Sequence, residues 1–124
     1  MVLIDTSIWI GLYRQRNSEL GGLVWRFVAQ NQAAICGQVY VEFISGFRKE
    51  KQREDYASDF QGFPFLETNF EACKIAAEIL AHFPNLGSGD AMIGATAILH
   101  QVPLLTVDKD FRCLESWGLR LFLS

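Results

Sequence analysis

Four acidic residues stand at places in the sequence where carboxylates can act together. Asp5 and Asp108 each follow a short apolar run, and Glu42 and Asp90 stand where we expect helices to begin after loops from the sheet. If these carboxylates converge in a partly dehydrated cleft, their repulsion favours a bound cation. Oxygen ligands without a histidine or a cysteine pair favour Mg²⁺ or Mn²⁺ over zinc. Such a site is typical of phosphoryl transfer or phosphodiester hydrolysis.

Each of these acids also has a purely structural interpretation. A side-chain oxygen at the start of a helix accepts the free N–H groups of the first turn, so Asp90 and Asp108 are equally well explained as helix caps. Asp5 fits that explanation less well, because Thr6 and Ser7 directly after it can cap a helix themselves. The deciding question is whether the surrounding elements bring the acids to one place.

The elements that must position the acids follow from the apolar pattern. Five short apolar runs predict strands, at residues 2–5, 33–36, 63–66, 104–107 and 119–123. Nearly continuous apolarity is typical of strands buried on both faces of a parallel sheet. Residues 20–28 and 72–83 have helical spacing, and the second of these helices begins with a capping-box pattern at Thr68 and Glu71.

Strands that alternate with helices through short connections predict a three-layer α/β/α sandwich with a mainly parallel central sheet. Ligands bind such sheets at the carboxyl ends of the strands, where Asp5 and Asp108 stand. The length of 124 residues, half of them hydrophobic, predicts one domain over residues 1–124. The N-terminus lacks the basic region of a signal peptide, and we expect a soluble, cytoplasmic protein with no membrane span.

Four segments, in order, resemble the motifs of PIN-domain ribonucleases, and among these the VapC-type toxins of toxin–antitoxin pairs. The opening VLIDTSIWI (residues 2–10) resembles the family's first strand with its Asp-Thr-Ser turn, and EFISG (42–46) resembles Glu-Leu-x-x-Gly. The segment DAMIGATA (90–97) is similar to Asp-x-x-Ile-Ala-Ala-Thr-Ala, and LLTVDKDF (104–111) to Leu-Leu-Thr-x-Asp-x-Asp-Phe. The resemblance covers the chain almost from end to end.

The resemblance implies a metal-dependent endoribonuclease. Mg²⁺ or Mn²⁺ would be held by Asp5, Asp90 and Asp108, with Glu42 as a further ligand or as the base. Water would attack the phosphodiester in line and leave a 5′-phosphate and a 3′-hydroxyl. Further candidates for orienting a carboxylate or water at the site, each also explained by ordinary capping, are Thr6, Ser7 and Thr106. Asp110 is a further candidate beside them, because in the family's closing motif either acid can approach the metal, and its alternative role is to cap the short helix through Phe111.

The resemblance also implies partners, namely an RNA substrate, a second copy in a homodimer and a small antitoxin whose tail covers the side that carries the apolar residues 9–13. The net charge of −3 gives no overall basic field for RNA. Basic residues nevertheless cluster on the helix expected to begin near Glu42, with Arg14 and Arg16 beyond the first strand. The cluster is either a solvated face or an RNA contact and consists of Arg48, Lys49, Lys51 and Arg53.

Two departures from the family pattern stand out. Gly94 replaces an alanine, at a cost in helix propensity of about 1 kcal/mol, and residues 82–89 lack the basic residue and the Gly-x-x-Ile pattern that the family has before its third acid.

Three other functions are the alternatives to a PIN-domain ribonuclease. A non-catalytic PIN-like RNA-binding or scaffold subunit keeps the same fold. A phospho-acceptor domain needs an acidic pair after the first strand, and a haloacid-dehalogenase-type phosphatase needs Asp-x-Asp, where this chain has Asp5, Thr6 and Ser7.

Overall fold

A four-stranded parallel sheet forms the centre of the protein, in a computed structural model that describes residues 1–14 and 18–122, with Ser18 described by its backbone alone. The strands are β1 (Val2–Ile4), β2 (Ala33–Cys36), β3 (Phe65–Leu66) and β4 (Leu104–Leu105). The strand order is β3-β2-β1-β4. Leu3 pairs with Ala34 on one side and with Leu104 on the other, and every pair is parallel.

Helices cover the sheet and complete the predicted three-layer α/β/α sandwich, which is confirmed. In the described part of the chain, no helix is long and apolar enough to cross a membrane. The α-helices are α1 (Thr6–Tyr13), α2 (Ser18–Ala29), α3 (Gly37–Ser45), α4 (Glu50–Phe60), α5 (Phe70–His82) and α6 (Ser88–His100), and a 3-10 helix (Lys109–Trp117) follows β4.

The burial of the strands explains their composition. Every residue of β1, β2 and β4 is buried, as continuous apolarity predicts, whereas the edge strand β3 is partly exposed. The expected strand at 119–123 is reduced to a single bridge between Leu121 and Leu104, and Leu123 lies outside the described residues. The expected strand at 104–107 ends two residues early, and the side chain of Thr106, the next residue, hydrogen-bonds Asp5.

The expectation that a helix begins near Glu42 and carries the basic cluster is wrong. The helix α3 begins at Gly37, directly after β2, and ends at Ser45. The backbone N–H groups of Gly46 and Phe47 then bond three residues back, which tightens the chain into a turn. Residues 48 and 49 therefore lie in a turn, and residues 51 and 53 lie on the separate helix α4.

The start of α5 also differs from the capping box that the sequence predicts. Asn69, one residue later than expected, accepts the N–H of Ala72 at 3.0 Å and caps the helix. The Thr68 hydroxyl instead hydrogen-bonds the Thr96 hydroxyl at 2.6 Å and ties the start of α5 to α6. Asparagine is as good a cap as threonine, so Thr68 is free to make this tertiary contact.

Gly94 is explained by packing in the middle of α6. A Cβ at this position would lie 2.5 Å from Cδ1 of Leu114, which is fully buried in the 3-10 helix. The glycine thus lets the 3-10 helix approach α6 more closely than an alanine allows. This contact matters for the site, because the two helices carry acids at their N-terminal ends.

Strand order fixes where a ligand can enter. From β1 the chain runs outward to β2 and β3 on one side, then returns to β4 on the other side of β1. The order reverses between β1 and β4, and a crevice at the carboxyl ends of the strands is expected at such a point.

Candidate functional site

Three carboxylates meet where the sheet order reverses. Asp90 lies in the first turn of α6, and Asp108 and Asp110 lie at the start of the 3-10 helix after β4. One oxygen from each carboxylate lies within 4.8 Å of the others. Asp90 and Asp108 are partly buried, and Asp110 is exposed. The structure therefore brings together two of the four predicted metal ligands and joins Asp110 to them.

Asp5 stands beside this group at the end of β1 and is only 4% exposed. Its Oδ2 accepts hydrogen bonds from the Ser7 and Thr106 hydroxyls, each at 2.7 Å. The Thr106 hydroxyl oxygen also accepts the N–H of Asp108 at 3.0 Å. Burial raises the pKa of Asp5, and these hydrogen bonds oppose that rise. Thr106 thus fixes Asp5 relative to the loop that carries Asp108.

Glu42 is held by one donor on each oxygen. The Thr6 hydroxyl donates to Oε1 at 2.6 Å, and the Gln38 side-chain amide donates to Oε2 at 3.0 Å. A Cβ at Gly89 would lie 2.5 Å from that same Oε2, so the start of α6 passes close to Glu42. Sequence reasoning missed Gln38 and Gly89. Gln38 stands four residues before Glu42 on α3, a spacing that identifies it only once the helix start is known.

The pKa of Asp90 reflects the charges of the four other acids near it. Burial and then the nearby charges of Asp108, Asp5, Glu42 and Asp110 raise the pKa of Asp90 to about 6. Like charges disfavour the ionised form, so each neighbouring carboxylate pushes the pKa of Asp90 upward. A divalent cation held among these carboxylates would remove this repulsion. The donors are all oxygens, a set that fits Mg²⁺ or Mn²⁺ and not the nitrogen and sulfur ligands typical of zinc.

Helix capping accounts for only part of this arrangement. Asp108 caps the 3-10 helix, since its Oδ1 accepts the N–H of Asp110 at 2.9 Å. The N-cap of α6 is Gly87 and not Asp90. Asp5 stands at the N-cap of α1 without a side-chain cap hydrogen bond. The capping explanation therefore applies to one oxygen of Asp108 and leaves the convergence of the acids unexplained.

The predicted basic cluster divides into two pairs. Arg53 donates to the carbonyl oxygens of Phe47 and Arg48 at 2.8 and 2.9 Å, and Lys51 forms an exposed ion pair with Asp55 at 3.0 Å. Arg48 and Lys49 are exposed in the turn between α3 and α4. Arg14 lies just after α1, and Arg16 lies outside the described residues.

Comparison with known proteins agrees with this geometry. The sequence model of the PIN domain family matches residues 2–115. The chain belongs to the PIN domain family. Relatives of this PIN-domain chain include the VapC ribonuclease Mb1587 of Mycobacterium bovis and the ribonuclease VapC11 of Mycobacterium tuberculosis. Each is 26% identical, and the match covers 90% of this chain and 89% of the relative.

Solved structures of other proteins share the fold. A toxin–antitoxin complex from Klebsiella pneumoniae contains a chain that is 26% identical, with a TM-score of 0.75 and 90% of each chain covered. VapBC2 from Rickettsia felis, solved with a DNA fragment from its promoter, is 19% identical with a TM-score of 0.77 and covers 98% of this chain and 97% of its own. At that identity the second likeness shows the fold alone.

Proposed function

We propose that this PIN-domain chain is a metal-dependent endoribonuclease and the toxin of a toxin–antitoxin pair. The observation that carries the proposal is the convergence of Asp90, Asp108 and Asp110 within 4.8 Å, beside the buried Asp5. Curated relatives that align over nearly the whole chain are named ribonucleases, which supports RNA as the substrate.

The acids would hold Mg²⁺ or Mn²⁺. Asp5, Asp90 and Asp108 are the proposed ligands, and Asp110 is a fourth because its carboxylate lies within the same group. When bound, the ion supplies charge stabilisation at the phosphate and lowers the pKa of water. Asp108 already uses Oδ1 to cap the 3-10 helix, so its other oxygen is the one free for a ligand.

The hydroxyls and the amide around the acids set the orientation of the carboxylates. Ser7 and Thr106 both donate to Oδ2 of Asp5, which fixes the orientation of this carboxylate. Thr6 and Gln38 hold the two oxygens of Glu42 in the same way. Residues that orient ligands in this way typically change metal affinity or activity by about 10- to 100-fold when they are removed.

The proposed reaction is hydrolysis of an RNA phosphodiester by water that attacks in line. Glu42 is a further metal ligand or the base that accepts the proton of the water. The products are a 5′-phosphate and a 3′-hydroxyl, because the bond between phosphorus and the 3′ oxygen is the one that breaks. No covalent enzyme intermediate is required.

A small antitoxin is the proposed protein partner in the cytoplasm. The related Klebsiella pneumoniae structure is a toxin–antitoxin complex. This chain has an apolar cavity of about 430 Å³ between α1, α2 and α4, lined by residues that include Trp9, Leu12 and Trp25. Trp25 is 57% exposed, and an exposed apolar site of this kind suits a protein partner. The homodimer stays a prediction.

Cleavage of a panel of structured RNAs by the purified chain tests the proposal. We expect cutting with Mg²⁺ or Mn²⁺, none with EDTA, and none for Asp90→Asn with either ion. The matched control is Asp55→Asn, which removes one exposed carboxylate on α4 and should cut normally. End analysis of the products should find 5′-phosphates.

The same experiment separates the proposal from a non-catalytic PIN-like subunit. Such a subunit binds RNA without cutting it in any metal condition. Absence of both cutting and Mn²⁺ binding by calorimetry, in a folded protein, would contradict the proposed metal centre.

A further inference from the structure

A second cavity, of about 390 Å³, lies beside the acid site. It is bounded by the end of α1, the end of α3 and the beginning of α4, and Glu42 forms part of its wall. The residues that matter for its chemistry are Tyr13, Arg14, Glu42, Arg48, Lys49 and Gln52. Because Glu42 also faces the start of α6, the cavity and the acid site share a wall.

The cavity is locally positive in a chain whose net charge is −3. Arg14, Arg48 and Lys49 line it against the single carboxylate of Glu42, which already accepts hydrogen bonds from Thr6 and Gln38. None of the three cations forms an ion pair with another residue in the described part of the chain. Guanidinium and ammonium groups without an acidic partner suit a phosphate.

Arg53 provides a reason for the position of these cations. Its guanidinium binds the carbonyl oxygens of Phe47 and Arg48, and so holds the turn that carries Arg48 and Lys49. Arg53 therefore stabilises the backbone of the cavity wall without lining the cavity itself. Lys51 points elsewhere, in its ion pair with Asp55.

Tyr13 adds an aromatic surface to the same cavity. Its side chain lies against Phe47 and Tyr56 and is still 46% exposed. The Gln52 amide lies 3.5 Å from its hydroxyl, which limits the movement of the ring. Exposed aromatic rings beside cations are the usual surface on which single-stranded bases stack.

We propose that this cavity binds the nucleotide adjacent to the scissile phosphodiester, with Arg14, Arg48 and Lys49 on its phosphate and Tyr13 against its base. The inference rests on the proposed function and adds the part of the enzyme that grips the RNA. An acidic protein segment would also be attracted to these three cations. The wall that the cavity shares with the acid site at Glu42 favours RNA instead, because an RNA chain can continue from the cavity into the acid site.

The test compares R48Q/K49Q with the wild-type chain and with a matched control, R26Q/K74Q. The control removes one exposed arginine on α2 and one exposed lysine on α5. Binding of a fluorescein-labelled single-stranded RNA of random sequence and about 12 nucleotides is measured by anisotropy in EDTA over a range of KCl. Cleavage with Mn²⁺ gives KM and kcat for the same proteins.

We expect R48Q/K49Q to lower the slope of log K against log salt by about 0.7 for each lost contact, to raise KM and to leave kcat nearly unchanged. Tyr13→Ala should weaken binding without changing the salt slope, whereas Tyr13→Phe should keep the affinity. The control should behave as the wild type in every measurement. Unchanged salt slope and KM for R48Q/K49Q, in a wild-type chain that cuts RNA, would overturn the inference and leave the proposed function intact.

Two further outcomes are distinguishable. A wild-type chain that neither binds nor cuts RNA would remove the proposed function and the inference with it. If R48Q/K49Q keeps RNA binding but loses binding to a fluorescein-labelled oligoglutamate peptide that the wild type binds, the cavity serves an acidic protein segment and the inference is wrong.

Discussion

The Thr106 hydroxyl donates to Oδ2 of Asp5 over 2.7 Å and accepts the N–H of Asp108. One side chain thus connects the acid at the end of β1 to the acid that follows β4. Thr106 is only 6% exposed, so water cannot readily replace either hydrogen bond.

Thr106→Val should therefore lower the affinity of the proposed centre for metal more than the small change in side-chain shape suggests. The valine keeps the shape but leaves Oδ2 of Asp5 with one donor fewer and the Asp108 N–H without this acceptor. We expect Mn²⁺ affinity, measured by calorimetry, to fall by about 10- to 100-fold. Thr106→Ser keeps the hydroxyl and should retain most of the affinity. Equal affinity in the valine variant and the wild type would show that Asp5 needs no such support.

Asp110→Asn tests whether the exposed member of the acid group takes part in metal binding. The cap of the 3-10 helix uses the Asp110 backbone N–H and not its side chain, so the fold should be unaffected. We expect a loss of Mn²⁺ affinity of about tenfold or more, because one charged oxygen ligand is removed. Glu115→Gln removes an exposed acid from the same 3-10 helix and serves as the control. A change of equal size in both variants would point to a general charge effect.

The pKa of Asp90 predicts how stability depends on pH in the metal-free protein. The pKa is raised from 3.8 to about 6, so the folded state binds more protons than the unfolded state between these values. Stability from this group is therefore highest at low pH and falls as pH rises toward 6. Because Asp90 is partly exposed, we expect the effect to be about 1 kcal/mol after solvent screening.

Thermal unfolding in EDTA at pH 5 and pH 8 measures this effect. Asp90→Asn removes the charge, so the variant should be more stable than the wild type at pH 8. It should also lose less stability than the wild type when the pH rises from 5 to 8. Mg²⁺ at pH 8 should restore stability to the wild type and not to the variant. The opposite order of the two proteins at pH 8 in EDTA would show that repulsion at Asp90 is not significant.

Gly94→Ala should destabilise the protein although alanine favours a helix. The gain in helix propensity is about 1 kcal/mol, whereas crowding in a packed core costs about 1 to 3 kcal/mol. The new Cβ would lie 2.5 Å from Cδ1 of Leu114. Urea unfolding of G94A, L114V and G94A/L114V should give a double variant more stable than the two single changes predict. Strict additivity would mean that the two residues do not compete for space.

The sequence was most informative about the acids and the buried strands, because both follow from local pattern. Continuous apolarity predicts β1, β2 and β4; Asp5 directly follows β1, and Asp108 caps the 3-10 helix that follows β4. The start of α3 was missed because Gly37 and Gln38 carry no helix-start signal, and β2 runs into α3 without a loop. That error hid Gln38 as a partner of Glu42.

Long-range contacts explain the other differences. The closeness of Gly89 to Glu42 and of Gly94 to Leu114 depends on how α6 packs against elements distant in sequence. From the local sequence alone, a glycine in a helix indicates only a low helix propensity. Thr68 was predicted to cap its own helix because its tertiary partner, Thr96, stands 28 residues away.

The pairing of Leu3 with Leu104 has a consequence for synthesis of the protein. A growing chain that has not yet reached residue 104 has one side of β1 unpaired and lacks both Asp108 and Asp110. Ribosomes add about 5 to 20 residues per second, so each new molecule spends several seconds with its first strand made and its acid site incomplete. Under the proposed function, the chain cannot cut RNA while it is being translated, because two acids of the proposed metal centre are made only after the strand that pairs with β1.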